Sequence, residues 1–253
     1  MTNIILSGAN GRMGRAITEK AMKNDKFEIV AGYDINDKCV NPYPVFCDIE
    51  KCDVQADVII DFSHPSAFDA VLRFARKRKL PLIVATTGLS EKQKEELFSA
   101  KDEIPVFYSA NMSLGINLLI NLCKKTVAVL GDKFDIEIVE KHHRTKLDAP
   151  SGTALAIADG IGEVLESSPE YVYDRHSVRR VRGNNEIGIH SVRGGNIVGE
   201  HEVIFAGDDE LISLSHSATS REVFAGGALA AAEFMKGKPA GIYSMDDLIG
   251  EMI

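Results

Sequence analysis

The chain has 253 residues, 45% of them hydrophobic and 26% charged, which is ordinary material for one large or two modest globular domains and excludes disorder and fibres. A formal charge of −8 excludes nucleic acid as the main partner, since phosphate binding needs a basic face, so any anion site must be local. No apolar run reaches the roughly 18 to 20 residues of a membrane span, and Met1 leads directly into a strand-like segment with no signal peptide, so a cytoplasmic protein without a membrane partner is expected.

From the N-terminus, short β-branched runs alternate with longer amphipathic ones. Residues 3–7 (NIILS), 27–33 (FEIVAGY), 57–62 (DVIIDF), 80–85 (LPLIVA) and 104–108 (IPVFY) read as buried strands bounded by polar or turn residues. Between them, residues 12–24, 65–79 and 90–100 carry helical periodicity, with Pro65 and Ser90 as starts. Strict alternation of the two predicts an α/β, Rossmann-like, doubly wound parallel sheet.

The pattern changes at Ser113. Residues 114–130 predict one long apolar helix, and residues 134–140 (FDIEIVE) alternate apolar and acidic, as a strand with one wet face does. A helix over 151–165 follows, then strands at 186–192, 197–205 and 210–216 separated by Gly-Gly and Gly-Asp-Asp turns. That is a second α+β domain with a mainly antiparallel sheet. An Ala-rich helix over 220–235 closes the series. The expected division is a dinucleotide-binding domain over 1–112, with 221–253 packing back onto it, and a second domain over 113–220. Cys39, Cys47, Cys52 and Cys123 lack CxxC spacing and are expected as free thiols that hold no metal.

The first chemical signal is Gly8-Ala9-Asn10-Gly11-Arg12-Met13-Gly14, a GxxGxxG sequence between the first strand and the first helix. Glycines there let backbone approach a pyrophosphate and aim unsatisfied N–H groups at it. Asp34 ends the next strand 20 residues beyond Gly14, the place from which a carboxylate accepts from a ribose 2′-hydroxyl. A 2′-phosphate would be repelled there, and the neighbours Ile35 and Asn36 supply no compensating arginine. NADH is therefore favoured. Arg12 is in reach of the adenine end, which keeps NADPH open, and a loop cap is the competing reading of Asp34.

The second signal is KHHRTKLDAPSGTA, Lys141 to Ala154. If the extended strand persists, His142 and His143 point to opposite faces, which makes them poor joint ligands of a metal. Arg144 and Lys146 supply positive charge, Asp148 or Ser151 caps the coming helix, and the N–H groups of Ser151, Gly152 and Thr153 form an anion pocket at its start. Together these predict an anionic substrate, a carboxylate, beside an imidazole able to donate a proton. Reduction of a C=C or C=N bond needs that proton opposite a hydride, and histidine suits the task near neutral pH.

With GANGRMG (8–14), DFSHP (61–65), ATTG (85–88), SANMSLG (109–115), EKHHRTKLDAPSGTA (140–154) and RGGNIVGEH (193–201), the chain resembles the dihydrodipicolinate reductase family over essentially its full length. The resemblance implies reduction of the dehydrated form of 4-hydroxy-tetrahydrodipicolinate, a small dicarboxylate, by NADH or NADPH in lysine and diaminopimelate biosynthesis. It implies that His142 supplies or relays the proton with Lys146 alongside, and that His143, Ser151, Gly152 and Thr153 hold the substrate's carboxylates. Cofactor contacts are implied at Gly8, Ala9, Asn10, Gly11, Arg12 and Met13, at Ala85, Thr86 and Thr87, and at Ser109, Ala110, Asn111 and Met112. The resemblance further implies a homotetramer joined through the second domain's sheet, with a hinge that closes on substrate. Two positions depart from the family pattern: Ile35 stands where members that use NADPH well often carry a basic residue, and Met112 replaces a phenylalanine.

Two other readings compete. A semialdehyde or acyl-phosphate dehydrogenase needs a cysteine nucleophile facing the nicotinamide, and none of the four is well placed for it. A dinucleotide-sensing module would keep the glycine motif but has no use for the His-His-Lys group.

Overall fold

A computed structural model of the chain describes residues 1–36 and 40–252, the side chain of Asp132 excepted. Cys39, one of the expected thiols, lies outside the described residues. Contacts divide the chain into two units, one of Met1–Leu114 with the chain from Glu222 onward, the other of Gly115–Arg221. Among the described residues no helix is long and apolar enough to cross a membrane.

The first unit runs β1 (Thr2–Ser7), α1 (Arg12–Ala21), β2 (Phe27–Tyr33), β3 (Val45–Phe46), β4 (Val58–Asp61), α2 (Pro65–Arg78), β5 (Leu82–Val84), α3 (Glu91–Ser99) and β6 (Pro105–Tyr108). The C-terminal end adds α6 (Glu222–Met235), β12 (Gly241–Tyr243) and α7 (Met245–Gly250). Its seven strands form one sheet in the order β12-β6-β5-β4-β1-β2-β3, and every pairing is parallel. The doubly wound expectation therefore holds, with the short edge strands β3 and β12 added.

Both faces are covered because strand side chains alternate. Ile4, Leu6, Val58, Ile60 and Ile83 point into one core with α1 and α6, while Ile5, Ile59, Leu82 and Val84 point into another with α2. That is why the strands read as continuous apolar runs rather than alternating ones. Small residues bring α6 close: Ala225, Ala228, Ala231 and Ala232 are buried, and a Cβ at Gly227 would collide with the Met112 carbonyl. The helix starts are chemically specified. Pro65 occupies the first turn of α2, and Ser90 with Gln93 makes a capping box for α3.

The second unit contains most of α4 (Leu114–Leu130), then β7 (Asp135–His142), α5 (Gly152–Gly162), β8 (Glu170–Val172), β9 (Glu186–Arg193), β10 (Gly199–Ala206) and β11 (Leu211–Ala218). The five strands lie in the order β11-β10-β7-β9-β8. Pairings β11–β10 and β10–β7 are antiparallel, as expected, but β7–β9 and β9–β8 are parallel, so the sheet is mixed. The cause is the crossover: β9 returns beside β7 after α5, and a parallel neighbour requires such a connection rather than a hairpin.

The sheet face under α4 and α5 is built in rows. Ile136 lies beside Ile187 and Phe205, and Ile138 beside Ile189 and Val203. These side chains are at most 5% exposed and join Leu119, Cys123 and Ile157 of the helices in one core. Each fully buried side chain of this size contributes about 1.5–3 kcal/mol. One row further, the same face changes character. Glu140 lies beside Ser191 and His201, and His201 beside His216.

Candidate active site

The glycine loop of the first unit has the geometry a diphosphate needs. Gly8 sits at φ +80°, and a Cβ there would lie 2.6 Å from the Phe62 carbonyl oxygen. At Gly14 a Cβ would lie 2.5 Å from the Ala9 carbonyl oxygen and would also collide with that of Gly8. Only glycine fits either position. Gly11 is the N-cap of α1, with no side-chain cap and no acidic residue in the first turn, so the helix's amino end presents partial positive charge to an incoming anion.

The strand ends around that loop are tied together. Asp34 accepts from the Asn10 and Asn36 N–H groups, each at 2.9 Å, which makes it the loop cap considered above. Asp61, fully buried at the end of β4, accepts from Ser63 Oγ at 2.6 Å and Thr86 Oγ1 at 2.9 Å. Burial raises its carboxyl above the usual range despite those hydrogen bonds. Ala85 is buried, Thr87 is exposed, and Ser109 Oγ donates to the Asn111 carbonyl at 2.8 Å. Ala110 and Arg12 are exposed, Met13 packs at the edge of the core, and Met112 is a core residue 2% exposed.

In the second unit, β7 carries Glu140 and His142 to the polar end of the sheet face. His142 Nδ1 lies 2.6 Å from Glu140 Oε2. Arg193, beside His142 on β9, grips the same carboxylate with two nitrogens, at 2.8 Å to Oε2 and 2.6 Å to Oε1. The Ser151 N–H donates to Oε1 at 3.1 Å. Burial alone would raise the Glu140 carboxyl, but hydrogen bonds from Arg193, Ser191 and His142 outweigh it and hold the group at about 2.

His201 packs edge-on against His142 with ring centroids 5.3 Å apart, and its Nε2 lies 3.0 Å from Ser151 Oγ. Burial, with His142 next in importance, pushes His201 down to about 4, so it is neutral at pH 7. Gly199 on β10 leaves space at the far ring nitrogen: a Cβ there would stand 3.1 Å from His142 Nε2.

The anion pocket is arranged differently from the sequence expectation. Ser151 is buried and caps α5 through a bond from the Ala154 N–H to its Oγ at 3.1 Å, and its own N–H is taken by Glu140. Asp148 accepts from Lys146 Nζ at 2.9 Å and from the Gly152 N–H, which together hold its carboxyl below the usual range. An acidic side chain of the chain itself thus lies on the lysine and on an amide at the helix start. His143 is half-buried, with Nδ1 2.8 Å from Thr145 Oγ1, and Thr153 is partly buried in the first turn of α5.

Hence His142, Ser151 and the start of α5 converge, with Lys146 and His143 in the adjoining loop. Glu140, Arg193 and His201 are part of the same constellation and were given no roles by the sequence reading. One of them was recoverable: Glu140 and His142 are two apart on a strand and share a face. The partners on β9 and β10 depend on pairing register, which no local pattern encodes. The cysteine chemistry of a rival dehydrogenase finds no support at Cys123, a buried thiol pushed up to about 12 by desolvation.

The comparisons with known proteins agree across the chain. Residues 2–112 match the family model described as dihydrodipicolinate reductase, N-terminus, and residues 115–249 match dihydrodipicolinate reductase, C-terminus. A 4-hydroxy-tetrahydrodipicolinate reductase of Caldanaerobacter subterraneus subsp. tengcongensis is 53% identical over 249 residues, covering 98% of both chains. One of Clostridium novyi is 48% identical over 250 residues, again covering 98% of both. A solved dipicolinate-bound dihydrodipicolinate reductase from Paenisporosarcina sp. TG-14 superposes with a TM-score of 0.81 at 25% identity, over 96% of this chain and 97% of that one. With both of its halves matched and relatives alike from end to end, the chain belongs to the dihydrodipicolinate reductase family, NAD(P)H-dependent oxidoreductases of lysine biosynthesis.

Proposed function

We propose that the chain reduces the dehydrated form of 4-hydroxy-tetrahydrodipicolinate to tetrahydrodipicolinate, with His142 supplying or relaying the proton. The observation that carries this reading is the imidazole of His142, oriented by a buried carboxylate beside Lys146 and the amino end of α5. A small dicarboxylate suits that surrounding, and the solved relative from Paenisporosarcina is described as bound to dipicolinate.

The glycine loop fits a dinucleotide: a Cβ at Gly8 or Gly14 would strike neighbouring backbone, so only glycine keeps the turn tight, and α1 starts uncapped. When bound there, NADH or NADPH supplies the hydride. Gly8 to Met13, Asp34, Ala85 to Thr87 and Ser109 to Met112 are the proposed contacts, with Asp34 followed by Ile35 favouring NADH. Lys146, His143 and the amides of Gly152 and Thr153 hold the carboxylates, Lys146 and Gly152 exchanging Asp148 for substrate. Ser151 acts through Glu140 and the helix cap, since its N–H is already engaged. His142 then adds its proton to the atom opposite the hydride, a contribution of about 10²- to 10⁴-fold in rate. Holding the reactants adjacent adds as much as about 7 to 11 kcal/mol.

The assembly proposed is a cytoplasmic homotetramer joined through the second unit's sheet. Helices α4 and α5 cover one face of that sheet, and β11 ends it as an edge strand with Leu211 61% exposed. Sedimentation velocity checks this.

The test of the activity is NADH oxidation coupled to dihydrodipicolinate synthase, comparing wild type with His142→Ala and Lys146→Ala. Both variants should lose at least about 10² in kcat/KM. Normal turnover by both removes the assigned roles.

A further inference from the structure

We infer that Glu140, clamped by Arg193, is a positioning residue for His142: it fixes the proton on Nδ1, so that Nε2 alone gives and regains the mobile proton. The inference rests on the proposed role of His142 and specifies how the protein prepares that side chain.

The geometry constrains the ring tightly. A carboxylate accepts and does not donate, so the 2.6 Å contact to Nδ1 requires a hydrogen on that nitrogen. That hydrogen is present in the imidazolium and in one of the two neutral tautomers. The carboxylate cannot turn away, because both its oxygens are held by Arg193 and one also by the Ser151 N–H. It is fully buried, and Arg193 shares its charge, which keeps Glu140 from taking the ring's proton for itself. Gly199 leaves the space at Nε2 that a β-carbon would crowd. The ring is thus locked by one nitrogen and open at the other.

In the protonation step the Nε2–H bond of the imidazolium breaks and its electron pair stays on nitrogen. The proton forms a bond to the substrate atom opposite the one that gains hydride, and the ring is left as the neutral Nδ1–H tautomer. Solvent returns a proton to Nε2. The charged and titratable groups around the ring are Glu140 on its own strand, Arg193 on β9, His201 on β10 with His216 behind it on β11, and Lys146, which acts electrostatically on His201. His201, pushed down to about 4 by burial, is neutral near pH 7, which leaves Glu140 as the anion in contact with the ring.

Two measurements test this. The first needs no variant: long-range proton–nitrogen spectra of uniformly labelled wild type, with His142 assigned by its absence from the His142→Asn spectrum, recorded between about pH 5 and 8. The neutral ring should carry its hydrogen on Nδ1 and leave Nε2 bare, and a bare Nδ1 with Nε2–H in the neutral ring overturns the inference. The second is Glu140→Gln, used once it binds NADH and unfolds cooperatively. Its kcat should fall by about 10² or more while the substrate KM moves less than about threefold. A wild-type kcat in Glu140→Gln, with His142→Ala inactive, overturns the positioning role and leaves the reduction intact. Normal turnover by His142→Ala instead overturns the assignment on which it rests. If Glu140→Gln fails to fold, the wild-type spectra decide.

Discussion

Replacing Glu140 by glutamine removes a charge that Arg193 and His142 both use, and the cost is readable as a pH-dependent loss of stability. The carboxyl is held at about 2 against an ordinary 4.5, and the residue is fully buried. At about 1.4 kcal/mol per pH unit, that depression is worth about 3 kcal/mol. Water reaching the Arg193 guanidinium, 19% exposed, screens the pair and brings the expected figure to about 2 kcal/mol. Because the folded carboxyl is the stronger acid, this stabilisation is fully present above the unfolded group's value of 4.5 and is lost as the pH falls toward about 2. Glu140→Gln has no such titration. Urea unfolding should therefore find the variant less stable by at least about 2 kcal/mol at neutral pH, from the lost charge and a guanidinium left underpaired. The difference should narrow by about 1–2 kcal/mol by about pH 3, as the wild type gives up its own contribution. A gap of constant size across that range would refute the reasoning, since the stabilisation would then not depend on an ionised Glu140.

Three further outcomes follow from the geometry. Gly14→Ala places a Cβ 2.5 Å from the Ala9 carbonyl oxygen, so α1 must shift off β1. Stability should drop by about 1–3 kcal/mol and NADH affinity by about tenfold or more, read by thermal unfolding and fluorescence titration. Asp148→Asn removes the carboxylate now paired with Lys146 at 2.9 Å, and calorimetric affinity for dipicolinate should rise by up to about fivefold, since an exposed pair of this kind is worth about 1 kcal/mol or less. A fall in affinity would mean that Asp148 supports the pocket rather than competing for it. Asp34→Ala should weaken NADH binding more than NADPH binding, and an equal loss for both would leave the bonds to Asn10 and Asn36 as its only function.

Much of the fold was legible because burial and periodicity coincide. Ile4 to Leu6, Val58 to Ile60 and Leu82 to Val84 are buried on both sides and read as unbroken apolar runs. In β7, Ile136 and Ile138 alternate with half-exposed partners, which marks a strand with one wet face. The elements that escaped are β3, β8, β12 and α7, of 2, 3, 3 and 6 residues, too short for any period to register. The parallel pairing of β7 with β9 escaped for another reason: strand partners are chosen by the crossover through α5, and a strand's own residues do not name its neighbour. The same limit applied to the site. Gly8, Gly14, His142 and Lys146 announce themselves by type and spacing, whereas Arg193 and His201 become part of it only through register. The Ser151 amide looked available for an anion because a helix start predicts free N–H groups, and it is engaged because Glu140, 11 residues earlier, reaches it first.

Hydride transfer from nicotinamide to the cyclic dicarboxylate is the central step of the proposed reaction. NADH deuterated at its transferable position, incubated with the protein and the synthase product, should yield tetrahydrodipicolinate carrying one deuterium, with the rate in His142→Ala lowered by at least about 10². NADH that binds but is not consumed, with no tetrahydrodipicolinate formed, would contradict hydride transfer and favour a dinucleotide sensor.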